Sequence, residues 1–150
     1  MVPIKKIPEV KTMLKRIITT LIFCIAGATA AQAANYIEAD ELKKTLHDKK
    51  EVIIVDIQPA ADFEKHSLPG SIETNAFPAK TADEKSRLDK ALPAITSSKA
   101  PVVIVCPRGK GGAKNSYDYL LSKGVPEDRL LILGDGISGW PYKELLKQGR

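Results

Sequence analysis

The chain has 150 residues, 27% of them charged and 5% aromatic, a length that predicts one domain rather than several. Its 23 Lys and Arg exceed its 18 Asp and Glu by a net +5, but Lys5, Lys6, Lys11, Lys15 and Arg16 against Glu9 supply +4 of that excess. The remainder is nearly neutral, which excludes the basic surface that a nucleic-acid partner requires.

The first third reads as a leader. A charged start, Met13-Leu14-Lys15-Arg16, precedes an apolar run over residues 17–26, then small residues ending in Ala31-Gln32-Ala33. This is the pattern of a secretory signal peptide. Residues 2–12 hold Pro3 and Pro8 and add nothing an export signal needs, so translation is expected to start at Met13 and cleavage to fall near Ala33. Residues 17–34 could reach across most of a bilayer as an uncleaved anchor. Their second half, however, is Ala, Gly, Thr and Gln, which are poor lipid-facing residues. Phe23 before Cys24 is too bulky for a lipoprotein signal. The expectation is an extension and signal peptide at residues 1–33 and a domain at residues 34–150, exported, periplasmic and free of the membrane after cleavage. The domain's 117 residues can bury about two thirds of their surface. Cys24 leaves with the leader, so Cys106 is alone in a compartment that favours disulfides. It is buried and inert, linked between chains, or reactive.

Within the domain, Asp40 is placed to cap a helix carrying Leu42 and Leu46. Residues 51–56 form a β-branched apolar run, as do residues 101–106, and residues 130–134 form a third. Runs that are apolar throughout indicate strands buried on both faces, hence a parallel sheet covered by helices. Residues 81–92 read as a polar helix with Leu88 and Leu92, ending at Pro93. Residues 113–123 place Tyr117, Leu120 and Leu121 on one side and stop at Gly124. A last segment, residues 140–147, carries Leu145 and Leu146. Strands alternating with helices give a single α/β domain with a doubly wound parallel sheet flanked by helices.

The second apolar run ends in Cys106-Pro107-Arg108-Gly109-Lys110-Gly111-Gly112, and a helix follows. A strand, a glycine-rich turn and a helix N-terminus present backbone N–H groups to an anion. A thiolate at Cys106 is such an anion, favoured further by Arg108 and Lys110, and the same cations suit an anionic donor. Three glycines and two cations within six residues argue against a plain structural cysteine. Asp56, at the end of a buried strand, needs hydrogen-bond partners and is expected to steady the loop. His66 reads as a packed loop residue, His47 as part of a solvated helix face, Trp140 as core, and residues 80–90 as a solvated mixed-charge helix.

Three segments resemble the rhodanese family, over residues 36–148. Val55-Asp56-Ile57, Asp62-Phe63 and Leu68-Pro69-Gly70-Ser71-Ile72 are similar to its Asp-Val-Arg … Glu-Phe … His-Ile-Pro-Gly-Ala segment. The Cys106 loop is similar to its six-residue active-site loop, and Gly134-Asp135-Gly136-Ile137-Ser138-Gly139-Trp140 to its late Glu-Gly-Gly … Trp segment. The resemblance implies a Cys106 persulfide that takes sulfane sulfur from a donor such as thiosulfate and gives it to cyanide, a thiol or a protein sulfur acceptor. No metal or organic cofactor is implied. Loop residues Arg108, Gly109, Lys110, Gly111 and Gly112 would bind the donor. The chain departs from the family at Gln58, where Arg is usual, at His66-Ser67 in place of Gly-His, at Pro107, which has no N–H, and at Gly111, where Arg is frequent. Gly112 also stands where related cysteine phosphatases place an oxyanion-clamping Arg. Two readings follow: a thiosulfate sulfurtransferase, or a non-catalytic binding or sulfur-relay domain that docks a partner through the Cys106 loop.

Overall fold

In the computed structural model, residues 33–150 are described; the expected leader and its cleavage pattern lie outside the described residues. The three apolar runs form the centre of a five-stranded sheet. They are β2 (Ile53–Asp56), β4 (Val102–Val105) and β5 (Leu130–Leu133). Two-residue strands, β1 (Tyr36–Ile37) and β3 (Ile72–Glu73), complete the order β1-β5-β4-β2-β3, with every pairing parallel. Alternate residues of each strand face opposite ways, so the sheet feeds two cores. Ile53, Val55, Val102, Ile104, Leu130 and Ile132 face one. Ile54, Val103, Val105 and Leu133 face the other.

Helices cover both faces. The exposed α3 (Ala82–Ser86) leads into a 3₁₀ stretch whose Leu88 and Ala91 join the first core, and α4 (Leu92–Ser97) and α5 (Gly111–Ser122) cover that face with Ile95, Tyr117 and Leu120. On the second, Leu42 of α1 (Ala39–His47) meets Leu68, Ile137 and Trp140. The short α2 (Ala60–Lys65) follows β2. This is the doubly wound α/β arrangement expected. The stop at Gly124 holds as well: its φ is +86° and its N–H donates to the Leu121 carbonyl at 2.9 Å. At such a φ a residue without Cβ is strongly preferred.

Local details differ from the sequence reading. Asp40 does not cap α1, which starts two residues earlier than such a cap would place it, with Glu38 at the N-cap and no side-chain cap bond. The Asp40 carboxylate instead accepts the Tyr142 hydroxyl, tying α1 to the C-terminal segment. Residues 81–92 are not one helix. A capping box between Thr81 and Glu84 starts α3, a 3₁₀ stretch spans Arg87–Ala91, and α4 then begins with Pro93 in its first turn. Proline is tolerated there because a first-turn N–H has no intrahelical partner. Pro93 therefore opens a helix rather than ending one. Residues 140–147 hold a single 3₁₀ turn, Lys143–Leu145, and an isolated antiparallel bridge from Lys147 to Ser67.

Candidate active site

The chain reverses direction across the sheet at β2 and β4, which are sequence-distant neighbours. In open α/β sheets the crevice beyond the carboxyl ends of such strands is where ligands bind. An open cleft of about 470 Å³ lies there, lined by Pro59 and Asp62 after β2, Phe77 after β3, and Pro107, Arg108, Lys110, Gly111 and Gly112 after β4. Four of the five loop residues expected to bind an anion thus line one cleft.

Cys106 follows β4 directly, packs on the face covered by α5 and is 2% exposed. Its Sγ accepts the Gly109 backbone N–H at 2.9 Å. The loop folds back on its own sulfur, and α5 starts two residues later. The first N–H groups of that twelve-residue helix have no intrahelical acceptors. Gly109 is buried and lends its N–H to the sulfur, while the exposed Arg108 and Lys110 face solvent at the cleft. Among the described residues, neither cation is in a salt bridge.

The loop is held from behind by residues 134–139, a supporting role that the segment's sequence alone does not reveal. The Ile137 N–H donates to the Cys106 carbonyl at 2.9 Å, and the Ser138 N–H to the Pro107 carbonyl at 3.0 Å. The two loops meet backbone to backbone. A Cβ on Gly136 (φ +61°) would sit 2.3 Å from the Cys106 carbonyl oxygen, and one on Gly109 (φ +65°) would sit 2.7 Å from Asp135 N and from Leu133 O. Both positions require glycine for space as well as for conformation.

Phe77 was also missed. Its N–H donates to the Ile57 carbonyl at 2.8 Å, its ring lies against Gly112, and Asn115 Nδ2 donates to the Pro78 carbonyl at 3.1 Å. The ring is thereby set at the start of α5 while remaining 38% exposed. A lone aromatic residue followed by proline, Phe77-Pro78, was the available signal.

Asp56 supports the site less directly than expected. Its carboxylate accepts from the Gln58 backbone N–H (2.9 Å) and from Gln58 Nε2 (3.0 Å), both in the turn after β2 rather than in the Cys106 loop. Gln58 Nε2 also reaches the His66 carbonyl at 3.2 Å. Gln58 is thus buried, away from the cleft. The tie to the cysteine is one strand over: the Ile57 N–H donates to the Val105 carbonyl at 2.9 Å.

Burial pushes the Asp56 carboxyl up to about 6; the two Gln58 hydrogen bonds oppose this and the Glu73 charge adds to it. Ionisation therefore opposes folding. Asp56's contribution is most favourable below the unfolded value of 3.8 and is lost as pH rises to about 6. A shift of that size corresponds to about 3 kcal/mol. The urea midpoint, compared between the native chain and Asp56→Asn from pH 4 to pH 7, should show the native chain losing this increment relative to the variant. Parallel pH profiles would show that Asp56 carries no such cost.

Among the described residues, no group of three or more His, Cys, Asp or Glu is placed to hold a metal ion, and no helix is long and apolar enough to cross a membrane.

The model of the rhodanese-like domain family matches residues 38–143. The chain belongs to the rhodanese-like domain family. No curated protein matches its sequence. Solved structures agree on the rhodanese-like fold. A rhodanese-like domain protein from Staphylococcus aureus is similar at 24% identity and a TM-score of 0.55, covering 77% of this chain and 99% of that one. A thiosulfate sulfurtransferase from Pseudomonas aeruginosa is 20% identical at a TM-score of 0.56, covering 78% of this chain and 21% of that longer one. An As-Sb reductase from Leishmania major is 16% identical at a TM-score of 0.59, covering 77% and 86%.

Proposed function

We propose that this rhodanese-like protein is an exported thiosulfate sulfurtransferase working through a Cys106 persulfide. The observation that carries the reading is the Gly109 N–H directed at Cys106 Sγ, at the mouth of a helix and in a loop whose two cations line the adjoining cleft. Backbone donors fixed before reaction stabilise charge on sulfur without reorganising. The Cys106 thiolate attacks the outer sulfur of thiosulfate. The S–S bond of the donor breaks, its electron pair leaves with sulfite, and the new S–S bond makes the persulfide. Cyanide or a thiol then takes the outer sulfur and restores the thiolate. Arg108 and Lys110 draw the dianion in, and the N–H groups of Gly111 and Gly112 hold it.

Steady-state turnover of thiosulfate and cyanide tests this. Arg108→Ala or Lys110→Ala should each raise the KM for thiosulfate several-fold, about 1 kcal/mol for a half-shielded contact. Attraction between exposed charges is screened over about 10 Å at 0.1 M salt, so added salt should mimic the substitutions. Unchanged KM values would remove both cations from donor recognition.

The second reading, a sulfur-relay or binding domain, is favoured by one observation: Cys106 is only 2% exposed. A protein that accepts sulfur from a partner but shows no turnover would establish it. We also propose that the mature protein begins near Ala34, on the strength of the Ala31-Gln32-Ala33 pattern. Its intact mass after expression with the leader should match that start, and a full-length mass in the membrane fraction would refute it.

A further inference from the structure

The cleft beside the Cys106 loop is chemically more mixed than a small dianion needs. Arg108 and Lys110 suit thiosulfate, but the same cleft is also lined by the acidic Asp62 and by Pro59, Phe77 and Pro107. A carboxylate in the donor's cleft repels the donor, so it calls for a use of its own. Asp62 is not required to build its turn: the backbone N–H already donates to the Pro59 carbonyl at 2.9 Å and the carbonyl accepts from His66 N at 3.1 Å. Its side-chain partner is Lys65 at 3.4 Å, with the lysine side chain 69% exposed. A pair so exposed contributes little and exchanges readily for another cation. The cleft thus offers a negative group on α2, a positive pair on the Cys106 loop and apolar surface.

We infer, resting on the sulfurtransferase reading above, that Asp62 is a specificity residue. It admits as sulfur acceptor a small thiol carrying both an ammonium and a carboxylate group, of which cysteine is the simplest. The ammonium meets Asp62, the carboxylate meets Arg108 and Lys110, and the carbon chain lies on the Phe77 and proline surfaces. The acceptor thiol loses its proton to solvent. Its thiolate attacks the outer sulfur of the persulfide, the S–S bond to Cys106 breaks, and the electron pair returns to Sγ. A persulfide on the acceptor and a free Cys106 thiolate result, with no oxidant or reductant consumed.

The test is an acceptor series with thiosulfate as donor: cyanide as reference, L-cysteine, 3-mercaptopropionate without the ammonium, and cysteamine without the carboxylate. L-Cysteine should have the lowest KM of the three thiols. Asp62→Asn should raise the KM for L-cysteine and cysteamine about fivefold, leave 3-mercaptopropionate no worse, and lower the KM for thiosulfate, with Asp62→Glu restoring the native order. A merely structural Asp62 would impair every substrate together, and that pattern would overturn the assignment, as would an unchanged KM for L-cysteine. Native protein that turns over thiosulfate and cyanide but does not distinguish the thiols would sink Asp62 selectivity alone. Absence of the cyanide reaction itself would overturn the underlying reading as well.

Discussion

Cys106→Ser is expected to leave a folded protein that transfers no sulfur, with turnover of thiosulfate and cyanide reduced on the order of a thousandfold or more. A serine hydroxyl is a weak nucleophile without a base beside it, and oxygen cannot carry the sulfane sulfur between the two half-reactions. The change is nearly isosteric, and the Gly109 N–H that now points at Sγ at 2.9 Å finds another acceptor in the serine oxygen. Melting temperature should therefore move little. Intact mass after exposure to thiosulfate supplies an independent readout, since the native chain should gain one sulfur atom and the variant none. Turnover surviving in the variant would place the chemistry elsewhere. A sulfur-loaded native chain without turnover would favour the relay reading.

Gly136→Ala is expected to be among the most damaging single-methyl additions in the domain. Gly136 has φ +61° and ψ −160°, a conformation essentially confined to glycine. Its missing Cβ would also fall 2.3 Å from the Cys106 carbonyl oxygen and 2.6 Å from the backbone nitrogens of Arg108 and Gly109. None of these is a flexible side-chain end. Strain and overpacking together should cost on the order of 4 kcal/mol. Whatever folded protein remains should have lost the bond from Ile137 N–H to the Cys106 carbonyl. Gly134→Ala is the control, since its Cβ would meet nothing closer than the end of the Glu38 side chain at 3.4 Å and the Ile37 carbonyl oxygen at 3.6 Å. Equal urea midpoints for the two variants would contradict backbone packing between the loops.

What could be read from the sequence depended on how far each signal reached. The three strands that build the sheet are continuous apolar runs, so their burial is written in composition alone. Tyr36–Ile37 and Ile72–Glu73 are too short to carry such a pattern; they become strands because β5 and β2 offer open edges. Asp40 failed as a cap because its carboxylate has a partner a hundred residues away in Tyr142, which local preference does not register. The Cys106 loop was legible because glycine and charge mark it at consecutive positions. The cleft opposite was not: Asp62 and Phe77 come from separate crossovers and meet Arg108 and Lys110 only through the strand order. Asp56 stood out as a buried acid, yet its partner Gln58 looked like a missing arginine rather than the donor that Asp56 needs.

The strand order also governs when the domain can close during synthesis. Among the described residues, β1 pairs with β5 alone; the flanking bonds run from the Ile132 N–H to the Asn35 carbonyl at 2.8 Å and from the Gly134 N–H to the Ile37 carbonyl at 3.0 Å. Contacts so distant in the chain are slow to form, because a long loop must be ordered first. A ribosome that has yet to deliver β5 therefore holds a chain whose opening strand has nowhere to dock. The amino-terminal edge of the sheet stays unfastened until the last strand emerges, and the domain closes only when synthesis is nearly complete.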